Sequence, residues 1–352
     1  MSKKTYYLMN SLTRYSRISG RRRQARAYAT LLIGGCLLLL GCPTAEDPET
    51  VASPETIADA KRSYEAVSLL GDTLYAPVLS EVVQAQYDSA LLVAQQNYRQ
   101  DSTQLTNVIW LGRRLGYLSR YQEAIRVYTQ GLARFPESAE LYRHRGHRYI
   151  TLRQFDRAAA DLKKSAELLK DQPLKVEPNG VPIPLPPNDR PSSLQFNVYY
   201  HLGLAHYLNG DYGQAARAYE RTLSYAKSDD DRVAVADWLY MTYRRLGEDE
   251  VAERTLAEIR EDMDVRDNEG YFERLLMYSG YVDPDSLLLA ARRDGPGSLS
   301  GATLGYGVGN YLLSEGDSLA SLEVFEEVID GQYWAAFGYI AAEADLARVR
   351  GK

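Results

Sequence analysis

The sequence predicts an all-α chain built from stacked helical hairpins, and three observations carry that prediction. The first is a 34-residue spacing. Gly112 and Gly146, Ala124 and Ala158, and Tyr121 and Phe155 are each 34 positions apart, and a fixed period of this length marks a repeating supersecondary unit. The second is helical periodicity. Apolar or small residues recur at i, i+3, i+4 and i+7, which gives each helix one packing stripe. The third is where the smallest residues fall. Gly and Ala stand where two helices would cross, and Gly210 before Asp211 supplies a turn with a left-handed residue. A unit of this kind cannot bury its stripe alone, so stacking is obligatory.

The segment "VIWLGRRLGYLSRYQEAIRVYTQGLARFP" (108–136) carries Val108, Leu111, Gly112, Leu115, Tyr121, Ala124, Tyr128, Leu132 and Pro136. It resembles the tetratricopeptide repeat, a helix–turn–helix unit. A second unit from Ala139 matches through Tyr142, Gly146, Tyr149, Phe155, Ala158, Leu162 and Ala166. A third, "NVYYHLGLAHYLNGDYGQAARAYERTL" (197–223), has Tyr199, Leu202, Gly203, Gly210, Tyr212, Ala215 and Tyr219. The resemblance implies a right-handed α-solenoid of about five repeats whose first helices line a concave groove for a protein or peptide.

The remaining elements follow in weaker form. Unit four, 233–262, places Tyr240 at the first Gly position and keeps Leu239, Tyr243, Gly247, Ala252 and Leu256. Asp229, Asp230 and Asp231 before it lack calcium-loop spacing and read as helix N-caps. Unit five, 303–330, keeps Val308, Gly309, Gly316 and Phe325. Its "GYGVGNY" follows no strand, so it is no dinucleotide loop, and reads as close helix packing or a frayed helix start. A helical pair is expected over 268–290 and a final capping helix over 334–348. Two more helices, about 59–69 and 79–98, are expected within an N-terminal cap of 59–104. The solenoid then spans 105–350. Between units two and three, residues 171–193 hold seven of the 14 prolines and cannot be helical. Their "EPNG" suggests a tight turn between short extended arms, as a surface insertion or as a flap over the groove edge.

The front of the chain is different. Residues 1–41 carry eight basic side chains and no acid, so the remainder holds 33 basic against 47 acidic ones. So acidic a body argues against bulk nucleic-acid binding. The apolar run from Ala27 to Gly41 is 15 residues, too short for a hydrocarbon core of roughly 30 Å. A basic start followed by a short apolar run reads as a secretory signal over 1–41. Leu39, Leu40, Gly41 and Cys42 resemble the bacterial lipobox, with "IGGC" ending at Cys36 a weaker rival. The resemblance implies that Cys42 carries lipid, palmitate included, and anchors the protein to an envelope membrane. The periplasmic side is the expected location and the cell surface the alternative. Cys36 leaves with the signal, so none of the two cysteines remains for a disulfide, a metal or nucleophilic catalysis. Residues 43–58, within a tether of 42–58, are acidic and poor in large apolar residues, which predicts disorder.

Candidate site residues follow from the register. "LYRHRGHRYI" (141–150) falls on the first helix of unit two, where Tyr142, Gly146 and Tyr149 take the packing stripe. Arg143, His147 and Ile150 then form a separate stripe facing the groove. The matching positions are Ile109, Arg113 and Gly116 with Tyr117 alongside, then Tyr200, Leu204 and Tyr207, then Asp237, Met241 and Arg244. Arg113, Arg143 and His147 are expected to converge on one ligand, with Tyr117, Tyr200 and Tyr207 as walls and Arg244 further along. Guanidinium groups suit carboxylate or phosphate. The competing reading pairs these arginines with nearby acids or leaves them solvated, and Arg145 is expected to snorkel. Some family members hold a terminal carboxylate with Lys and Asn at set positions. Here those positions hold other residues, Arg113 and His144 among them, so that clamp does not carry over.

His144, His147, His201 and His206 lie among Arg143, Arg145 and Arg148, whose charge repels a cation. Neutral histidines hydrogen-bonded between helices fit better than a metal site, and no cofactor is implied. The sequence has no P-loop, HExxH or GxSxG, so a non-enzymatic interaction scaffold is the expectation. The alternative is a binding protein for a small anionic or glycan ligand with the Pro-rich insert as lid.

Overall fold

The structure, a computed structural model, describes residues 63–178, 191–295 and 297–351. An antiparallel pair, β1 (Tyr64–Val67) and β2 (Thr73–Tyr75), leads into α1 (Glu81–Gln100). Six hairpins follow. They are α2 (Leu105–Tyr117) with α3 (Tyr121–Arg134), α4 (Ala139–Thr151) with α5 (Phe155–Leu168), and α6 (Leu194–Asn209) with α7 (Tyr212–Leu223). Then come α8 (Asp229–Leu246) with α9 (Asp249–Leu256), α10 (Glu269–Tyr278) with α11 (Pro284–Asp294), and α12 (Leu299–Ser314) with α13 (Ser318–Ile329). α14 (Phe337–Val349) comes last. The predicted all-α solenoid is therefore present, with six hairpins where about five were expected. From α1 to α8 each helix packs on the next, and beyond α9 the stack runs through α8, α10 and α12.

Each hairpin turns through one left-handed residue. Four are glycine: Gly210 (φ 84°), Gly247 (72°), Gly280 (73°) and Gly316 (90°). Two are not: Ser119 (57°) and Arg153 (62°). Glycine is the default there because a Cβ is strained in that conformation. Within the hairpins, glycine also buys contact: a Cβ on Gly203 would lie 2.7 Å from the Tyr219 ring, and one on Gly309 2.6 Å from Phe325. The glycine run in α12 is thus close helix packing, as one of the two sequence readings held.

The N-terminal cap departs from expectation. The helix expected over 59–69 is, from residue 63 onward, the β1–β2 hairpin, while residues 59–62 lie outside the described residues. Gly71 (φ 105°) and Asp72 make its turn. A bulge between Tyr64 and Ala66 turns Glu65 inward. Its carboxylate accepts the Gln122 backbone N–H at 3.0 Å. Glu65 thereby caps α3, whose own N-cap Arg120 supplies no side-chain acceptor. The helix expected over 79–98 runs over Glu81–Gln100.

Two further details differ. Ser228, rather than the three aspartates, caps α8 by accepting from Asp231 N. Asp230 instead accepts the backbone N–H groups of Arg266, Asp267 and Asn268, fixing the α9–α10 connection. Arg145 does not snorkel: it forks onto Asp161 at 2.7 and 2.8 Å.

The Pro-rich insert has the extended arms its sequence suggested. Val176 and Ser193 form an antiparallel bridge, Leu194 N donates to Lys175 O at 2.6 Å, and Glu177 N to Ser192 O at 3.1 Å. Most of the expected turn, like residues 179–190 as a whole, lies outside the described residues. So do the signal, the tether and Cys42. Among the described residues no helix is long and apolar enough to cross a membrane.

Candidate partner-binding groove

The first helices of the hairpins line the inner side of the stack, and the groove they form is filled from both ends by the chain itself. At the α2–α4–α6 end the occupant is the first arm of the insert. Arg113 Nη1 donates to the Pro178 carbonyl at 2.9 Å. Arg143 Nε stands 3.2 Å from Glu177 Oε2, and Asn197 Nδ2 donates to the same oxygen at 3.0 Å. His144 Nε2 lies 3.7 Å from Glu177 Oε1. Lys175 pairs with Glu140, and Gln195 takes the Lys175 N–H while donating to Pro173 O. The groove thus grips an extended segment by two backbone carbonyls, one backbone N–H and a carboxylate.

The electrostatics are one-sided. Burial holds the His144 imidazole well below its usual range, and Arg143, Arg113 and Arg148 push it further. Arg143 Nη1 lies 3.0 Å from His144 Nδ1. A neutral ring accepts that hydrogen bond, which leaves its Nε2–H toward Glu177. Burial likewise lowers His201 first, with Arg143 adding to it. Arg113 and Arg148 make no ion pair among the described residues, and Arg148 stacks on Tyr121 with its guanidinium 5.2 Å from the ring centre. One guanidinium, Arg143, therefore meets the carboxylate, Arg113 meets the neighbouring Pro178 carbonyl, and Arg148 adds its charge to the field around His144.

Beside the arm a cleft of about 310 Å³ remains. Leu105, Ile109, Trp110, Arg113, His144 and Val176 are among its walls. Arg113 and Arg114 stand over the Trp110 ring at 4.6 and 4.8 Å, a cation–π arrangement that fixes the indole.

Toward the C-terminal ends of α4 and α6 the occupant is α14, which also packs on α12 and α13. Its Glu343 forms a buried pair with Arg153 at 2.5 Å, the two side chains 1% and 3% exposed. Glu343 also accepts from the Leu69 backbone N–H. Arg153 reaches the Trp334 carbonyl as well, at 2.9 Å. Asp345 accepts from Arg245, Arg348 and Tyr306. Phe337 packs on His147 and His201, ring centres 5.5 and 5.8 Å away. Further inside, Arg274 and Asp237 are both fully buried at 2.9 Å, among the rings of Trp238, Tyr271 and Tyr306. Burial pushes the Asp237 carboxyl up to about 7 against the pull of Arg274.

The predicted site residues fall into two groups. Arg113 and Arg143 do meet, on the insert arm. Tyr117, beside them, touches Tyr87 of α1 with ring centres 5.9 Å apart. His147 sits apart from that pair, against His201 at 4.4 Å and under Phe337. The two tyrosine walls are not accessible surface. Tyr200 is buried against Phe196 and Tyr219, and Tyr207 is buried with its hydroxyl on Tyr306 at 2.7 Å. Arg244 joins neither group, because Asp249 and Glu315 pair with it at the far end of α8. Sequence reasoning missed Glu177, Asn197, Trp110, Glu343 and Asp345. Arg153 carried a signal for Glu343, since an arginine in a glycine turn position asks for a long-range reason. Among the described residues no three His, Cys, Asp or Glu groups are gathered to hold a metal.

Helical hairpins with small residues at their crossings and a left-handed turn residue, stacked through their first helices, define the repeat. Residues 196–229 match the tetratricopeptide repeat. That repeat comprises α6, α7 and the turn into α8. Among solved structures, MamA is 19% identical over 50% of this chain and 89% of that one, with a TM-score of 0.38. A second MamA structure is 16% identical over 58% and 97%, also at 0.38. YrrB, described as a TPR protein with an unusual peptide-binding site, is 13% identical over 72% and 97%, at 0.39. No curated protein matches the chain.

Proposed function

We propose that the chain is an interaction scaffold of the bacterial cell envelope, tied to a membrane by lipid on Cys42, and that it holds a protein or peptide partner at the α2–α4–α6 end of its groove. The observation that supports this most is the seat itself. Arg113, Arg143, Asn197 and Gln195 already hold an extended stretch of polypeptide through backbone and carboxylate contacts. Such contacts suit a peptide, since each is made to a group that any extended chain presents or to one acidic side chain. The α14 end does not suit a partner, because its ion pairs are dry and internal. No catalytic role is assigned.

The reading is tested by a photo-crosslinking residue in place of Ile109 in living cells, with the adducts identified by mass. A discrete partner is expected there and not from Lys163 on α5. Identical adduct patterns from both positions would remove the groove from the account. For the anchor, Cys42→Ala is expected to move the protein from the membrane to the soluble fraction, and retention on the membrane would refute it. A second reading, a small anionic ligand under the insert, is favoured by the cleft beside Trp110. Loss of that ligand on deleting 174–190, with partner capture retained, would select it.

A further inference from the structure

We propose that Glu177 is a resident stand-in for an acidic residue of the partner, so that the insert arm blocks the groove until an extended acidic segment displaces it. The inference rests on the scaffold reading and adds the partner's chemistry and the way access is controlled.

Four observations lead there. The arm is short and exposed along most of its length: residues 171–176 are all exposed, while the Glu177 side chain alone is tucked in, 9% exposed. The one side chain of the arm that is buried in the groove is thus the Glu177 carboxylate, with the Pro178 carbonyl beside it on Arg113. Second, the donors that meet them come from three different helices: Arg113 from α2, Arg143 and His144 from α4, and Asn197 from α6. A site spread over three repeats presents its donors to whatever lies along the groove, and a carboxylate from another chain would meet the same set. Third, the charge is not balanced. Arg148 and Arg113 remain without an ion-pair partner among the described residues while both act on His144, so a segment with more than one acid gains contacts that the arm does not provide. Fourth, the cleft beside Trp110 flanks the arm along Lys175–Pro178 and has apolar walls, Leu105 and Ile109 among them. Room is left there for an apolar neighbour of the acidic residue.

The chemistry expected of the partner is an extended segment with an acidic side chain one residue after an apolar one, as Val176–Glu177 has it. Direct competition follows. An occupied seat lowers the apparent affinity of any competitor by the fraction of time the arm is in place.

The test uses the full chain and a labelled synthetic peptide of this protein's own residues 172–178. Binding is followed by fluorescence anisotropy. Glu177→Ala is expected to bind the peptide at least tenfold more tightly than the unaltered protein. A peptide whose glutamate is replaced by glutamine is expected to lose that gain. Because the second change lies in the peptide, misfolding cannot explain it. Equal, glutamate-dependent binding by both proteins would show an open acidic seat and overturn the blockade while leaving the scaffold reading in place. Binding indifferent to the peptide's glutamate, or none to either protein, would overturn the seat. Crosslinking to a partner from position 109 reports on the scaffold independently.

Discussion

The two ends of the groove are closed by the same kind of bond under different conditions. At the α14 end, Arg153–Glu343 and Arg274–Asp237 are sealed from water, with every side chain at 3% exposure or less. At the insert end, Arg143–Glu177 sits at 11% and 9% under an arm that is itself exposed. Removing a partner from a sealed pair strands a charge in a medium that cannot solvate it. Removing one from the insert pair lets the arm lift and water return. The first arrangement is architecture and the second is exchangeable. A resident helix held by a buried ion pair is part of the fold, and an exposed arm that puts one carboxylate into the groove leaves a site that another chain can take.

The largest expected effect separates the two ends directly. Glu343→Ala is expected to destabilise the fold by about 3–5 kcal/mol, the range for breaking a buried pair. Glu177→Ala is expected to cost no more than about 1 kcal/mol, as for a pair that solvent can replace. Urea unfolding of both variants checks this, and equal losses would erase the distinction.

Acid is expected to act next, through buried histidines that border both occupants, His144 at the arm and His201 under Phe337. His144 and His201 are held below the usual histidine range by burial. In the folded state they refuse protons that the unfolded chain accepts once pH drops below about 6.5. Their contribution is complete above that pH and is lost as pH falls toward the depressed values. The slope has a limit of about 1.4 kcal/mol per pH unit for each histidine. Replacing His144 by Gln is expected to flatten stability between pH 6.5 and 5. An unchanged slope would show that other groups carry the acid sensitivity.

The smallest effect lies in the hairpin turns. Ser119 and Arg153 occupy equivalent left-handed positions. Ser119→Gly is expected to stabilise by up to about 1 kcal/mol through relief of strain. Arg153→Gly relieves the same strain yet strands Glu343, so it is expected to destabilise. Thermal melts of both should move in opposite directions, and a shared direction would show that the turn, not the ion pair, decides.

Much of this was readable in the residues, and the exceptions have physical causes. The hairpins over 105–168 and 194–223 were legible because Gly112, Gly146 and Gly203 recur with ring or leucine partners on the following helix. Local periodicity is enough to place them. The β1–β2 hairpin was hidden because its four-residue and three-residue strands are shorter than the window that separates the two periods, and its pairing is fixed by a bulge that serves a contact 57 positions away. The convergence of Arg113 and Arg143 was legible from register alone. What they meet was not, since Glu177 lies in a segment without periodicity. The closure of the far end depends on contacts such as Arg153 with Glu343, 190 positions apart. No pattern within one repeat encodes them.

Amide hydrogen exchange across the whole chain separates the exchangeable arm from the fixed helix. The amides of Lys175 and Glu177 are expected to exchange at least about tenfold faster than those of residues 341–346 in α14, since only local opening exposes them. Exchange from α14 at the same rate as the arm, or faster, would contradict this. The helix would then be the movable occupant and the arm the fixed one.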